Sequence, residues 1–267
     1  MEIRPARPCD RRAVGRMTAR TWRWGDYIMG VWRDWVSGER GRLFVAEESG
    51  RIVGIMYVEF RGRETYLAGA RVAPEARGRG VGTALTERCL EEARRAGAEY
   101  VTLITAEDNA PARRVAEKLG FRPEFFFRRF WAPALRRPSG SARLVPPEEG
   151  ERILERFLER MGRLVLFSDW DWRGGGLEDV KRYCEEGFCA EEGGAAALYA
   201  PYFDRRLMVD AVVGGSEDLA RFLRWEAHAF GCERVFGFSP DEEALGSMAR
   251  AGYRVRKRTM VMYRLDL

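Results

Sequence analysis

Arg77-Gly78-Arg79-Gly80-Val81-Gly82 is the stretch on which the reading of this chain turns. It follows Thr65–Val72, which reads as a strand, and a turn at Pro74; it opens an amphipathic run, Thr83–Ala96, with Leu85, Cys89, Leu90 and Ala93 at helical spacing. Strand, glycine-rich turn and helix N-terminus in that order make an anion site. Glycine lets the backbone approach a ligand without a Cβ clash. The unpaired N–H groups of the first turn, aided by the helix dipole, then point at phosphate oxygens.

Outward from the loop, the next signal is Asn109, the one asparagine in a chain of 267 residues with no glutamine. It lies just past a predicted strand, Tyr100–Thr105, and before a predicted helix, Pro111–Leu119, which Gly120 terminates. A side-chain amide offers two donors and an acceptor, which suits an amide-rich ligand such as a pantetheine arm. Asparagine is equally a common helix N-cap, and the sequence leaves both roles open.

Together these residues resemble the GNAT superfamily of CoA-dependent N-acetyltransferases. Arg77-x-x-Gly80-x-Gly82 is similar to that family's pyrophosphate motif, and Asn109-x-x-Ala112 with Leu119-Gly120-Phe121 to its downstream signature. The resemblance implies an α/β (α+β) fold: a twisted, mixed, mostly antiparallel sheet flanked by helices. It also implies acetyl-CoA as co-substrate, an amine as acceptor and direct attack in a ternary complex. Gly78, Arg79, Gly80, Val81, Gly82 and Thr83, with Arg77, would hold the pyrophosphate. Ala70, Arg71 and Val72 would present backbone N–H groups to the thioester oxygen, and Asn109 would meet the pantetheine arm. Seven residues after the motif asparagine, where many members carry the tyrosine that protonates the thiolate, stands Ala116. The general acid is therefore not carried over, and Tyr66 is the substitute considered.

For the general base, Asp26, Glu59, Glu64 and Glu107 lie near the expected cleft, and each has a plain alternative as a solvated carboxylate. Glu59 is preferred because strand alternation puts it on one face with Tyr57. Trp22, Trp24 and Tyr27 are candidates to line the acceptor side, where an aromatic wall grips an aliphatic or cationic amine. Trp32 and Trp35, three apart, read rather as a buried helix face.

The chain also repeats itself. Residues 132–142 are rich in turn formers, and beyond them the first half recurs: Leu144-Val145-Pro146 echoes Ile3-Arg4-Pro5, Trp170-Asp171-Trp172 echoes Trp22-Arg23-Trp24, Phe188–Glu192 echoes Phe44–Glu48, and Ala251-Gly252-Tyr253 echoes Leu119-Gly120-Phe121. The expected division is an acetyl-CoA domain at 1–135, a linker at 136–142 and a degenerate GNAT-like domain at 143–267. Gly214-Gly215-Ser216 is too short to be a phosphate loop, and Ser239-Pro240-Asp241 replaces the asparagine region. Tandem members of the family divide labour in this way.

Composition bounds the rest. Net charge is +5, carried almost wholly by arginine, and a CoA site needs local positive charge without invoking nucleic acid. A homodimer is left open. Five cysteines without a C-x-x-C pair and a single histidine, His228, give no metal-ligand cluster. No apolar run of membrane-spanning length or signal-peptide core is seen, so a cytoplasmic enzyme is expected. The alternative reading is a non-catalytic acyl-CoA sensor, motivated by Ala116.

Overall fold

Alternating apolar strands separated by amphipathic segments give, in a computed structural model, two compact units. The structure describes residues 1–21, 25–168 and 171–267, without the side chains of Asp171 and Arg258. One unit is Met1–Glu124 with Val261–Leu267, and the other is Phe125–Met260.

The first unit runs β1 (Glu2–Pro5), α1 (Arg11–Thr18), α2 (Ile28–Ser37), β2 (Gly41–Glu48), β3 (Arg51–Arg61), β4 (Glu64–Val72), α3 (Val81–Arg95), β5 (Tyr100–Ala106), α4 (Ala110–Lys118) and the start of β6 (Arg122–Pro133). β1 to β4 pair antiparallel in sequence, and β5 lies parallel to β4. Side-chain alternation then gives the sheet two buried faces. Phe44, Met56, Val58 and Leu67 pack with Val81, Leu85 and Cys89 of α3. Val45, Ile55 and Tyr57 pack with Val14, Ile28 and Trp32 of α1 and α2.

The second unit repeats the order: β7 (Arg143–Leu144), α5 (Gly150–Met161), a hairpin of β8 (Leu164–Ser168) and β9 (Asp171–Gly175), α6 (Leu177–Glu185), β10 (Cys189–Glu192), β11 (Ala195–Pro201), β12 (Arg206–Val213), α7 (Glu217–Ala229), β13 (Arg234–Ser239), α8 (Glu242–Arg250) and β14 (Arg254–Asp266). β7, β10, β11 and β12 pair antiparallel, and β13 lies parallel to β12. The hairpin β8–β9 has no counterpart among the described residues of the first unit.

The units do not divide at the expected linker. The boundary falls inside β6, whose residues Arg128–Pro133 pair antiparallel with β13 of the second unit. Reciprocally, the end of β14 stands beside β5 in the first unit. Matching backbone bonds close both arrangements: Leu267 N–H donates to Glu99 O at 2.9 Å, and Ala134 N–H donates to Glu233 O at 2.9 Å. The C-terminal part of each repeat's last strand thus lies in the other unit. Both strands are long, at twelve and thirteen residues.

Candidate functional site: a splayed strand pair and a glycine loop

The β4–β5 ladder is short. Its register runs from Glu64↔Tyr100 to Leu67↔Leu103 and stops, although β4 continues to Val72 and β5 to Ala106. Five residues of β4 therefore have no β5 partner in the ladder. At the same place β4 bulges against β3, its register shifting between Ile55↔Arg71 and Tyr57↔Ala68. Gly69 makes the bulge with φ +64°, a left-handed conformation that side chains resist. The indole of Trp35 lies so close that a Cβ at Gly69 would sit 2.4 Å from its Cζ3.

Beyond Val72 the chain turns at Pro74 and reaches the glycine loop. Gly78 and Gly80 adopt φ +75° and +82°, and a Cβ on either would meet nothing within 4 Å. Backbone conformation, not crowding, selects glycine at both. Ala84 N–H donates to Gly80 O at 3.0 Å and closes the first turn of α3. The N–H groups from Gly78 to Thr83 therefore precede the helical ladder, which is how a helix start comes to offer donors to an anion. Arg77 is exposed and reaches back toward Val72 O at 3.4 Å, while Arg79 pairs at the surface with Glu48 at 2.8 Å.

Asn109 caps α4. Its Oδ1 accepts from Ala112 N at 3.4 Å and its Nδ2 donates to Thr105 Oγ1 at 3.1 Å. The cap role left open by the sequence is the one made here, and the residue is exposed at the C-terminal end of β5. The helix ends as a Schellman turn, with Phe121 N–H on Ala116 O at 3.0 Å and Gly120 at φ +89°. Ala116 is buried. The far side of α4 is held by Tyr263, whose hydroxyl accepts from Arg113 Nε at 3.0 Å and donates to Glu117 Oε1 at 2.8 Å.

The remaining predicted residues are only partly brought together. Glu59 faces Tyr66 across the β3–β4 register, and Arg61 binds Glu59 at 2.8 Å while lying 4.6 Å from the centre of the Tyr66 ring. This cluster stands four residues before Ala70, ~13 Å along the strand. Nearer the bulge are Tyr57, opposite Ala68, and Trp35, stacked on Tyr57 with centroids 4.4 Å apart and planes at 2°. Tyr27 meets the edge of Trp35 at 6.1 Å. Burial pushes the Tyr57 hydroxyl up to about 12, so it is a neutral donor at physiological pH. Trp22 and Trp24 lie outside the described residues. Trp32 is core, as its spacing implied. Trp35, three residues on, packs against the same core and also reaches the bulge at Gly69. Asp26 does not stand free as a base, because it is 1% exposed and bound to Arg71. Glu64 is buried, donated to by Thr102 Oγ1 at 2.6 Å.

The equivalent place in the second unit is built otherwise. Eight residues, 73–80, link β4 to α3, but only three, 214–216, link β12 to α7. Asp241 accepts from Gly214 N at 3.0 Å and pairs with Arg160 at 2.6 Å. A Cβ on Gly215 would stand 2.7 Å from Glu243 Cγ. Burial pushes the Asp241 carboxyl up, yet Arg160 and the N–H groups of Gly214 and Ala244 hold it below its usual range. A negative charge therefore stands where a pyrophosphate would need donors. The strand gap is bridged too: Ser239 Oγ donates to Val212 O at 3.1 Å.

Comparison with known proteins agrees with the first unit's layout. Residues 12–121 match the Acetyltransferase (GNAT) family. A mycothiol acetyltransferase from Saccharomonospora viridis is 42% identical over 91 residues, 30% of this chain and 29% of that protein. A histidine N-acetyltransferase from Xenopus tropicalis is 28% identical over 168 residues, 54% of this chain and 51% of that one. The chain thus spans about half or less of the curated relatives it matches. The solved GCN5-related N-acetyltransferase from Sphaerobacter thermophilus superposes over 99% of this chain and 95% of its own, with a TM-score of 0.65 and 20% identity. That likeness shows that the fold extends over both GNAT-like regions. Among the described residues no helix is long and apolar enough to cross a membrane.

Proposed function

We propose that this protein transfers an acetyl group from acetyl-CoA to an amine, using the first unit alone. The observation that carries the reading is the early end of the β4–β5 ladder at Leu67↔Leu103, which opens a gap leading directly to the glycine loop. The pantetheine arm would lie in that gap, with its pyrophosphate on the N–H groups of Gly78–Thr83 and Arg77 and Arg79 at the rim. Ala70, Arg71 and Val72 supply the strand backbone against the thioester, where N–H donors stabilise the tetrahedral oxyanion. Asn109 sets the start of α4 beside the arm.

Tyr27, with Trp22 and Trp24, is assigned to the acceptor side. The amine arrives mostly protonated, since its pKa is ~10.4. Glu59 is proposed as base, and its ~13 Å offset along the strand requires water to carry the proton. The thiol leaving group has a pKa of ~8.5 and departs without an obligatory acid, so Tyr66 assists at most. A cytoplasmic location completes the reading, supported by an odd cysteine number.

The test is CoA release followed with a thiol reagent over a panel of amines, paired with calorimetric titration of acetyl-CoA. Turnover with at least one amine is expected. Binding without turnover would favour the acyl-CoA sensor, the reading that buried Ala116 supports.

A further inference from the structure

Arg71 belongs to the β4 segment that has no β5 partner, yet its side chain points away from solvent into a set of specific contacts. Its Nε donates to Asp26 Oδ2 at 2.7 Å and its Nη2 to Asp26 Oδ1 at 3.2 Å, a two-point pairing. Its Nη1 donates to Ala70 O at 2.9 Å. Its guanidinium carbon lies 5.3 Å from the centre of the Tyr27 ring. Asp26 is 1% exposed and Arg71 16%, so the pair is shielded from water. Asp26 Oδ1 also accepts from Ile28 N at 3.2 Å, at the first residue of α2.

These contacts join the start of α2 to the peptide between Ala70 and Arg71. One end holds the first turn of α2, which carries Tyr27 and, two turns on, Trp35 against the β4 bulge. The other end holds the peptide plane between Ala70 and Arg71: in a trans peptide the carbonyl and the following N–H are antiparallel, so holding one orients the other. Shielded, two-point arginine–carboxylate pairs are directional in a way that exposed ion pairs are not.

We infer that the Asp26–Arg71 pair is a positioning device that locks the acceptor-side helix α2 to the thioester-facing strand. This rests on the acetyltransferase reading above. Neither side chain touches reacting atoms; both act through the backbone of β4 and the aromatic residues of α2.

Asp26→Asn and Asp26→Glu in the full chain test it, with circular dichroism to confirm folding. Asp26→Asn is expected to raise the acceptor KM and cut kcat/KM for the amine at least tenfold, with the acetyl-CoA Kd within twofold of the parent. Asp26→Glu should recover most of the loss. Hydrogen exchange gives the arm that is independent of turnover: amides in both 28–37 and 68–72 should exchange faster in Asp26→Asn. Unchanged exchange in both segments, or a fall in acetyl-CoA affinity matching the loss in kcat/KM, overturns the inference. If the parent binds acetyl-CoA but acetylates no amine, the function reading fails and the exchange result alone decides the lock.

Discussion

The hydroxyl of Tyr263 accepts a hydrogen bond from Arg113 Nε at 3.0 Å, across 150 residues of sequence. It donates to Glu117 Oε1 one helical turn further along α4, so a residue at the end of the chain braces the helix that Asn109 caps. Tyr263→Phe should destabilise the first unit by about 1–2 kcal/mol, the usual loss when a buried hydrogen-bond partner is removed. Deleting residues 261–267 should do far more, abolishing acetyl-CoA protection in a thermal-shift assay, because β5 loses its neighbour. Retention of that protection would show that the first unit is complete without β14.

Gly80→Ala probes the loop. Nothing stands near the added methyl, so the cost comes from φ +82° alone, about 1–2 kcal/mol, and it falls on the turn that presents the N–H donors. Acetyl-CoA affinity measured by calorimetry should drop at least fivefold, and the melting temperature should fall by a few degrees.

Gly69→Ala should act mainly on stability. Here φ is +64° and Trp35 Cζ3 would lie 2.4 Å from the new Cβ, so strain and overpacking add. A loss of about 2–4 kcal/mol in chemical denaturation is expected, and a much smaller loss would mean the Trp35 ring swings away freely.

Much of this was legible in the sequence, and the misses share a cause. Local signals gave the loop, the Asn109 helix and the repeat, because glycine punctuation and helical periodicity act over a few residues. The exchange of β6 and β14 was not legible: both strands have ordinary alternation, and which sheet accepts them is settled by pairing partners more than a hundred residues away. The linker expected at 136–142 rests on turn formers, which mark a connection but not a boundary between cores. The sequence offers Asp26 as a candidate base because no local pattern announces an arginine 45 residues on. The spacing of Trp35 from Trp32 implies the core contact it makes but not its second contact, at the Gly69 bulge.

The second unit should bind no acetyl-CoA. Charged Asp241 and the shortened 214–216 connection occupy the place of the loop. Titration should give one site per chain, and Gly80→Ala should weaken that single site; a second site that survives the substitution contradicts the assignment.

Asp210 gives the second unit a pH dependence. It is 2% exposed, its Oδ1 has no hydrogen-bond partner among the described residues, and Tyr183 donates to Oδ2 at 2.5 Å. Burial pushes its carboxyl up to about 7, with Tyr183, Arg173 and Arg182 only partly offsetting the effect. The folded protein therefore holds a proton that the unfolded chain, with a pKa of ~3.9, gives up, so this contribution to stability declines as pH rises from about 4 to 7. Relative to wild type, Asp210→Asn should gain a few kcal/mol between pH 5 and pH 8 in denaturant titrations. An equal difference at both pH values would place the titration elsewhere.

The exchanged strands also set an order of events during synthesis. The glycine loop and α3 emerge early, but β5 waits for residues 261–267, which are translated after nearly the whole second unit. Until then the open edge of β5 stands exposed on the nascent chain, a natural target for holding chaperones and for mispairing with neighbouring polypeptides. The rear repeat therefore has a part in completing the front unit through the strand it delivers, independent of any phosphate loop of its own.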